Sequence, residues 1–153
     1  MLEIGTEAPD FTLPSHRGTT VHLAELRGRQ RALLVFYPRD DTPGCTAQLC
    51  AIRDNVAALM DYDVTPFGIN ADSVDDHTAF ARDQHYQFDL LVDEDLRTAR
   101  AYDAATEGSA RPTRTVYIVG RDGKIVFAQR GAPSPGEMIE AVQGANDNPA
   151  ANA

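Results

Sequence analysis

The chain has 153 residues, of which 42% are hydrophobic and 24% charged, enough for one buried core and too few for two. Its 14 Lys and Arg stand against 23 Asp and Glu, and the resulting charge of −9 argues against nucleic acid and anionic membranes as partners. Two cysteines are too few for a disulfide-stapled secreted scaffold.

The opening, "MLEIGTEAPDFTL", has neither a basic start nor an apolar stretch of signal-peptide type, which predicts a cytoplasmic protein. No apolar run reaches the length of about 18 residues needed to span a bilayer. "DFTLPSHRGTTVHL" then reads as a small hairpin around Arg17-Gly18. Leu33–Tyr37, "LLVFY", reads as a buried strand. Thr42–Met60 carries helical periodicity through Cys45, Leu49, Ile52, Val56 and Leu59. Val64–Asn70 is a second strand, and Pro66 places it near an edge or a strand start. Asp72–His85 reads as a helix capped by Asp72 or Ser73. The strand-like "FDLLVD" and a short helix over Leu96–Tyr102 follow. Thr115–Val119 and Lys124–Ala128 flank a "GRDG" turn. Pro135–Val142 is a last helix, with Ser134 as its cap. This order predicts one α/β domain over residues 1–143, with a mixed central sheet flanked by helices and an extra N-terminal hairpin. Residues 144–153, "GANDNPAANA", predict a disordered tail.

Both cysteines lie in "YPRDDTPGCTAQLC". Thr42 suits a helix N-cap and Pro43 the first helical position, so Cys45 falls at the third. A capping box puts a carboxylate at that position. Unpaired backbone N–H groups and the positive end of the helix dipole favour a thiolate there, and the thiolate is the nucleophile. The competing reading is a buried apolar cysteine that begins the helix's core stripe. Cys50, five residues on, sits about 140° around the helix, at a Cα separation of about 8–9 Å. A disulfide spans at most roughly 7 Å between Cα atoms, so an intact helix keeps the two sulfurs apart. The spacing therefore predicts that Cys45 reacts first, becoming an electrophile such as a sulfenic acid. The first turn must then unwind before Cys50 can attack it.

Other residues read more plainly. Asp40 and Asp41 read as a solvated loop ahead of the cap. His77 and His85 return to one side of a helix and read as structural, at the surface or half-buried. Neither the cysteine spacing nor that of the histidines fits a zinc site.

Pro38-x3-Thr42-x2-Cys45 resembles the active-site signature of the peroxiredoxins. "TPGCTAQLCAIRD", "GINADSVDDHTAF", "LLVDEDLRTARAYDA" and "RTVYIVGRDGKI" are similar to the Q-type branch, also called bacterioferritin comigratory protein. The likeness runs from about Ile4 to Val142. It implies a thioredoxin-like fold and a thiol-dependent peroxidase that needs no metal, haem or flavin. Cys45 would be the peroxidatic cysteine and Cys50 the resolving one, the disulfide being returned to dithiol by thioredoxin or a glutaredoxin-type reductant. Thr42 would hydrogen-bond the peroxide, Pro38 would shield the pocket, and the N–H groups of Gly44 and Cys45 would hold a peroxide oxygen. Arg114 matches the family's active-site arginine, with Arg111 as its rival. The resemblance also implies hydrogen peroxide and small organic hydroperoxides as substrates, and a monomer or weak homodimer. Two other readings are open on the residues alone. A thiol–disulfide oxidoreductase on the same fold usually carries C-x-x-C rather than C-x4-C. A redox-sensing binding protein would use the disulfide to switch a partner surface.

Overall fold

Two short strands, β1 (Thr12–Pro14) and β2 (Thr20–His22), form the N-terminal hairpin, as expected. A 3-10 turn over Leu23–Leu26, which no sequence signal indicated, leads into β3 (Arg31–Phe36). The computed structural model describes residues 1–148. Helices α1 (Pro43–Asp54) and α2 (Val56–Asp61), strand β4 (Val64–Asn70), helix α3 (Val74–Gln84), strand β5 (Asp89–Val92) and helix α4 (Arg97–Ala101) follow. The hairpin β6 (Thr115–Val119) and β7 (Ile125–Arg130), then helix α5 (Pro135–Gln143), complete the order.

The sheet runs β5-β4-β3-β6-β7, with β3, β4 and β5 parallel and β6 and β7 antiparallel to their neighbours. This is the mixed thioredoxin-like sheet expected from the sequence. Every residue of the central strand β3 is buried because the sheet is covered on both faces. Ala32, Leu34 and Phe36 pack under the N-terminal hairpin and α4, with Tyr102 and Tyr117. Leu33, Val35 and Tyr37 face the opposite layer, with Cys45, Leu49 and Ile52 of α1, Phe80 of α3 and Met138 of α5. Fully burying one such Leu or Phe side chain stabilises the fold by about 1.5–3 kcal/mol. Pro66 lies inside β4, but β5 joins only from Phe67, so the missing N–H falls where that strand has no second neighbour.

Two expectations need correction. The predicted helix over Thr42–Met60 is two helices, broken at Asn55, which leaves helical geometry with φ −120° and ψ 15°. The Asn55 amide bonds back to the Ala51 carbonyl, the local competition that makes Asn a poor interior helix residue. The disordered tail does not begin at residue 144. Asp147 is 2% exposed and forms a bidentate pair with Arg31, while residues 149–153 of the predicted tail lie outside the described residues. Of the two caps the sequence offered for α3, Ser73 is the one used, accepting from the Asp76 N–H. The capping box at α5, Ser134 with Glu137, is present in full. Among the described residues no helix is long and apolar enough to cross a membrane.

Candidate active site

Helix α1 starts at the C-terminal end of β3, directly after the loop 37–42. Pro43 occupies its first position, and the first helical hydrogen bond runs from the Thr46 N–H to the Thr42 carbonyl at 2.8 Å. The N–H groups of Gly44 and Cys45 therefore precede the hydrogen-bond ladder. Thr42 takes the N-cap backbone geometry, yet its hydroxyl does not cap; it donates to the Arg39 carbonyl at 3.0 Å.

Cys45 is 1% exposed, so both readings of it hold in part: it is buried, and it is met by a cation. Arg114 Nη2 donates to Cys45 Sγ at 3.3 Å. A guanidinium stays charged at neutral pH, so the Cys45 sulfur at the helix start faces a fixed positive charge. Arg111 is exposed instead, on a cleft with Arg39 and Asp41. A Cβ at residue 44 would stand 3.2 Å from Arg114 Nη2, so glycine there lets the guanidinium approach the helix. Pro38 is half-buried at the end of β3.

Sequence reasoning passed over Gln48. It is 5% exposed, accepts from Arg114 Nη1 at 2.6 Å and donates to the Gly131 carbonyl at 3.3 Å. The Gly131 N–H, at the left-handed φ of +89°, returns a bond to the Arg114 carbonyl at 2.9 Å. Arg114 is thus held at its backbone and at its head group by one circuit. Position 48 shares the core stripe of Cys45, Leu49 and Ile52, and a polar residue on that stripe was the available signal.

Beneath the loop lies a second polar group that corrects two readings. Asp40 is 8% exposed, not solvated like Asp41, and His77 is fully buried, whereas His85 is exposed. Asp40 accepts from the Tyr37 hydroxyl at 2.6 Å and from Asn70 at 3.1 Å and meets His77 Nδ1, while its own N–H donates to Asp72 at 2.7 Å. His77 Nε2 meets the Leu91 carbonyl at 3.0 Å. A carbonyl only accepts, so Nε2 is the donor in that bond. Burial first, and the charge of Asp40 next, push the Tyr37 phenol well up, which keeps it a neutral donor. His77 repeats with Phe80 and Ala81 on the buried stripe of α3, the clue to its place.

Cys50 is half-buried and off the Arg114 circuit. Its sulfur lies 3.6 Å from Gln84 Oε1 and 3.6 Å from the Tyr86 hydroxyl, at the C-terminal corner of α3. Burial first, then the hydrogen bond with Cys50, push the Tyr86 phenol up, so it too stays protonated. Both thiols are free.

The sequence profile of the AhpC/TSA family matches residues 4–128. A putative peroxiredoxin Bcp of Coxiella burnetii is 33% identical over 147 residues, covering 92% of this chain and 97% of the relative. Peroxiredoxin Bcp of Escherichia coli is 36% identical over 130 residues, covering 81% and 83%. Among solved structures, peroxidoxin BcpB of Mycobacterium tuberculosis superposes with a TM-score of 0.87 at 25% identity, over 95% of this chain and 99% of that one. The buried thiol at a helix start, its arginine, the fold and these relatives agree: the chain belongs to the AhpC/TSA family, in its Q-type peroxiredoxin branch, and is by that membership a thiol-dependent peroxidase.

Proposed function

We propose that the protein reduces hydrogen peroxide and small organic hydroperoxides through a Cys45 sulfenic acid, which Cys50 resolves as an intramolecular disulfide. Thioredoxin or a glutaredoxin-type dithiol then restores both thiols. The observation that carries this reading is the Arg114 guanidinium on the Cys45 sulfur at the start of α1. The Cys45 thiolate attacks one peroxide oxygen, the O–O bond breaks, and the other oxygen leaves as water or an alcohol once protonated. Arg114 stabilises the charge first on sulfur and then on the departing oxygen, without itself losing a proton. The Thr42 hydroxyl turns from the Arg39 carbonyl to the peroxide, and the Gly44 and Cys45 N–H groups hold the second oxygen. Pro38 limits water at the mouth of the site.

For the second step α1 must open, because helical spacing keeps the sulfurs beyond bonding distance. The weak, neutral contacts of Cys50 support its role as the movable partner. The protein acts in the cytoplasm, as a monomer or weak homodimer, where a reducing pool regenerates the dithiol.

Peroxide consumption coupled to thioredoxin, its reductase and NADPH tests the reading. Cys45→Ser abolishes consumption; Cys50→Ser supports a single turnover without thioredoxin-coupled cycling. Consumption by Cys45→Ser at the wild-type rate would overturn the assignment, and slow consumption by the wild type would favour a redox sensor.

A further inference from the structure

The Tyr86 hydroxyl touches two parts of α1 whose helical arrangement has to change before the two sulfurs can bond. It lies 3.5 Å from the Thr46 carbonyl, in the first turn, and 3.6 Å from the Cys50 sulfur one turn further on. The phenol has one proton, which it donates to the Thr46 carbonyl while the Cys50 thiol points its own at Gln84 Oε1 or at the phenol oxygen. Tyr86 itself belongs to a fixed structure. Its N–H bonds the Ala81 carbonyl at 2.9 Å behind the left-handed cap His85. Its ring stacks on Phe88 at 5.1 Å and meets the Phe80 ring edge-on at 5.1 Å. When α1 opens, the post stays and the helix leaves it. Contacts made only in the closed helix add to the barrier against opening.

We propose that Tyr86 is a positioning residue that times the two chemical steps: its hydroxyl latches the first turn of α1 and the resting Cys50 thiol to the end of α3, and so sets how long the Cys45 sulfenic acid waits for resolution. The proposal rests on the reading of Cys50 as the resolving thiol. In resolution the Cys50 sulfur bonds the Cys45 sulfur, the S–O bond of the sulfenic acid breaks, and hydroxide leaves with the proton of the Cys50 thiol as water. In the competing path a second hydroperoxide converts the waiting sulfenic acid to a sulfinic acid and is itself reduced to water or an alcohol. The strength of the latch decides how the sulfenic acid divides between these two fates.

Tyr86→Phe removes the hydroxyl and keeps the ring packing. The reduced full chain is given one equivalent of hydrogen peroxide, quenched at intervals with acid and with dimedone, and read by mass spectrometry. Loss of the Cys45 thiol proceeds at the wild-type rate, while disulfide formation accelerates roughly threefold to tenfold, the effect of one or two lost weak hydrogen bonds. The hydrogen peroxide concentration that half-inactivates the enzyme in turnover rises by the same factor. Disulfide formation that is unchanged or slower in Tyr86→Phe overturns the proposal, and so does a slower loss of the Cys45 thiol, which marks a general loosening of the site. A wild type that forms no Cys45–Cys50 disulfide removes the reading of Cys50, and the latch falls with it; equal rates in the two proteins remove the latch alone.

Discussion

The two cysteines share one helix and have opposite surroundings. Cys45 sits on a polar scaffold: an arginine held at its head group by Gln48 and at its backbone by Gly131, and a loop pinned by the buried cluster of Asp40, His77, Asn70 and Tyr37. Cys50 has two long, neutral hydrogen bonds at the end of α3. Preorganised charge serves a nucleophile, because the groups that stabilise its transition state must already be in place. A sulfur that has to travel is better served by contacts cheap to break. On the proposed mechanism, the contrast separates the part of the site that stays from the part that moves.

The largest expected effect breaks the fixed side. Asp40→Ala leaves His77 buried without its partner and lowers the unfolding free energy by about 3–5 kcal/mol, measured by denaturant titration. Arg114→Met removes the charge from the Cys45 sulfur while the fold stands, and initial rates of peroxide consumption fall roughly 10²–10³-fold. A smaller effect comes from an ion pair remote from both sulfurs. Burial alone would push the Asp147 carboxyl up, but hydrogen bonds from Arg31 and the Arg121 N–H, with both guanidinium charges, overcome it and leave it lowered. A lowered folded value means that the ionised form stabilises the fold, a contribution complete above about pH 4 and lost as acid protonates the folded carboxylate. Asp147→Asn therefore costs about 1–3 kcal/mol at neutral pH, and its melting temperature converges on the wild type's below about pH 4. Peroxidase rate is unchanged, since Asp147 touches neither sulfur's surroundings.

Much of the fixed side was legible. Thr-Pro-Gly-Cys announces a helix start, and apolar runs with turn residues between them gave β3, β4 and the β6–β7 hairpin within a residue or two. What escaped was polar and buried. Gln48, Asp40 and His77 are residue types that mostly face water, and only their position on core stripes, or next to a buried strand, tells otherwise. Asn55 breaks its helix by a side-chain bond that no periodicity reveals. Asp147 is buried by a guanidinium more than a hundred residues away, a pairing that exists only once the chain has folded. The surroundings of Cys50 were half legible: helical spacing separated the sulfurs, but Tyr86 reaches Cys50 only through the folding of the segment after α3.

Peptide mapping of the peroxide-treated wild-type protein under non-reducing conditions bears most directly on the central claim, that a helix-held thiol is oxidised first and then joined by its neighbour. The account predicts a single intramolecular Cys45–Cys50 disulfide, formed stoichiometrically with the first equivalent of peroxide. A product carrying only Cys45 sulfinic acid, or Cys50 oxidised while Cys45 stays a thiol, would contradict it.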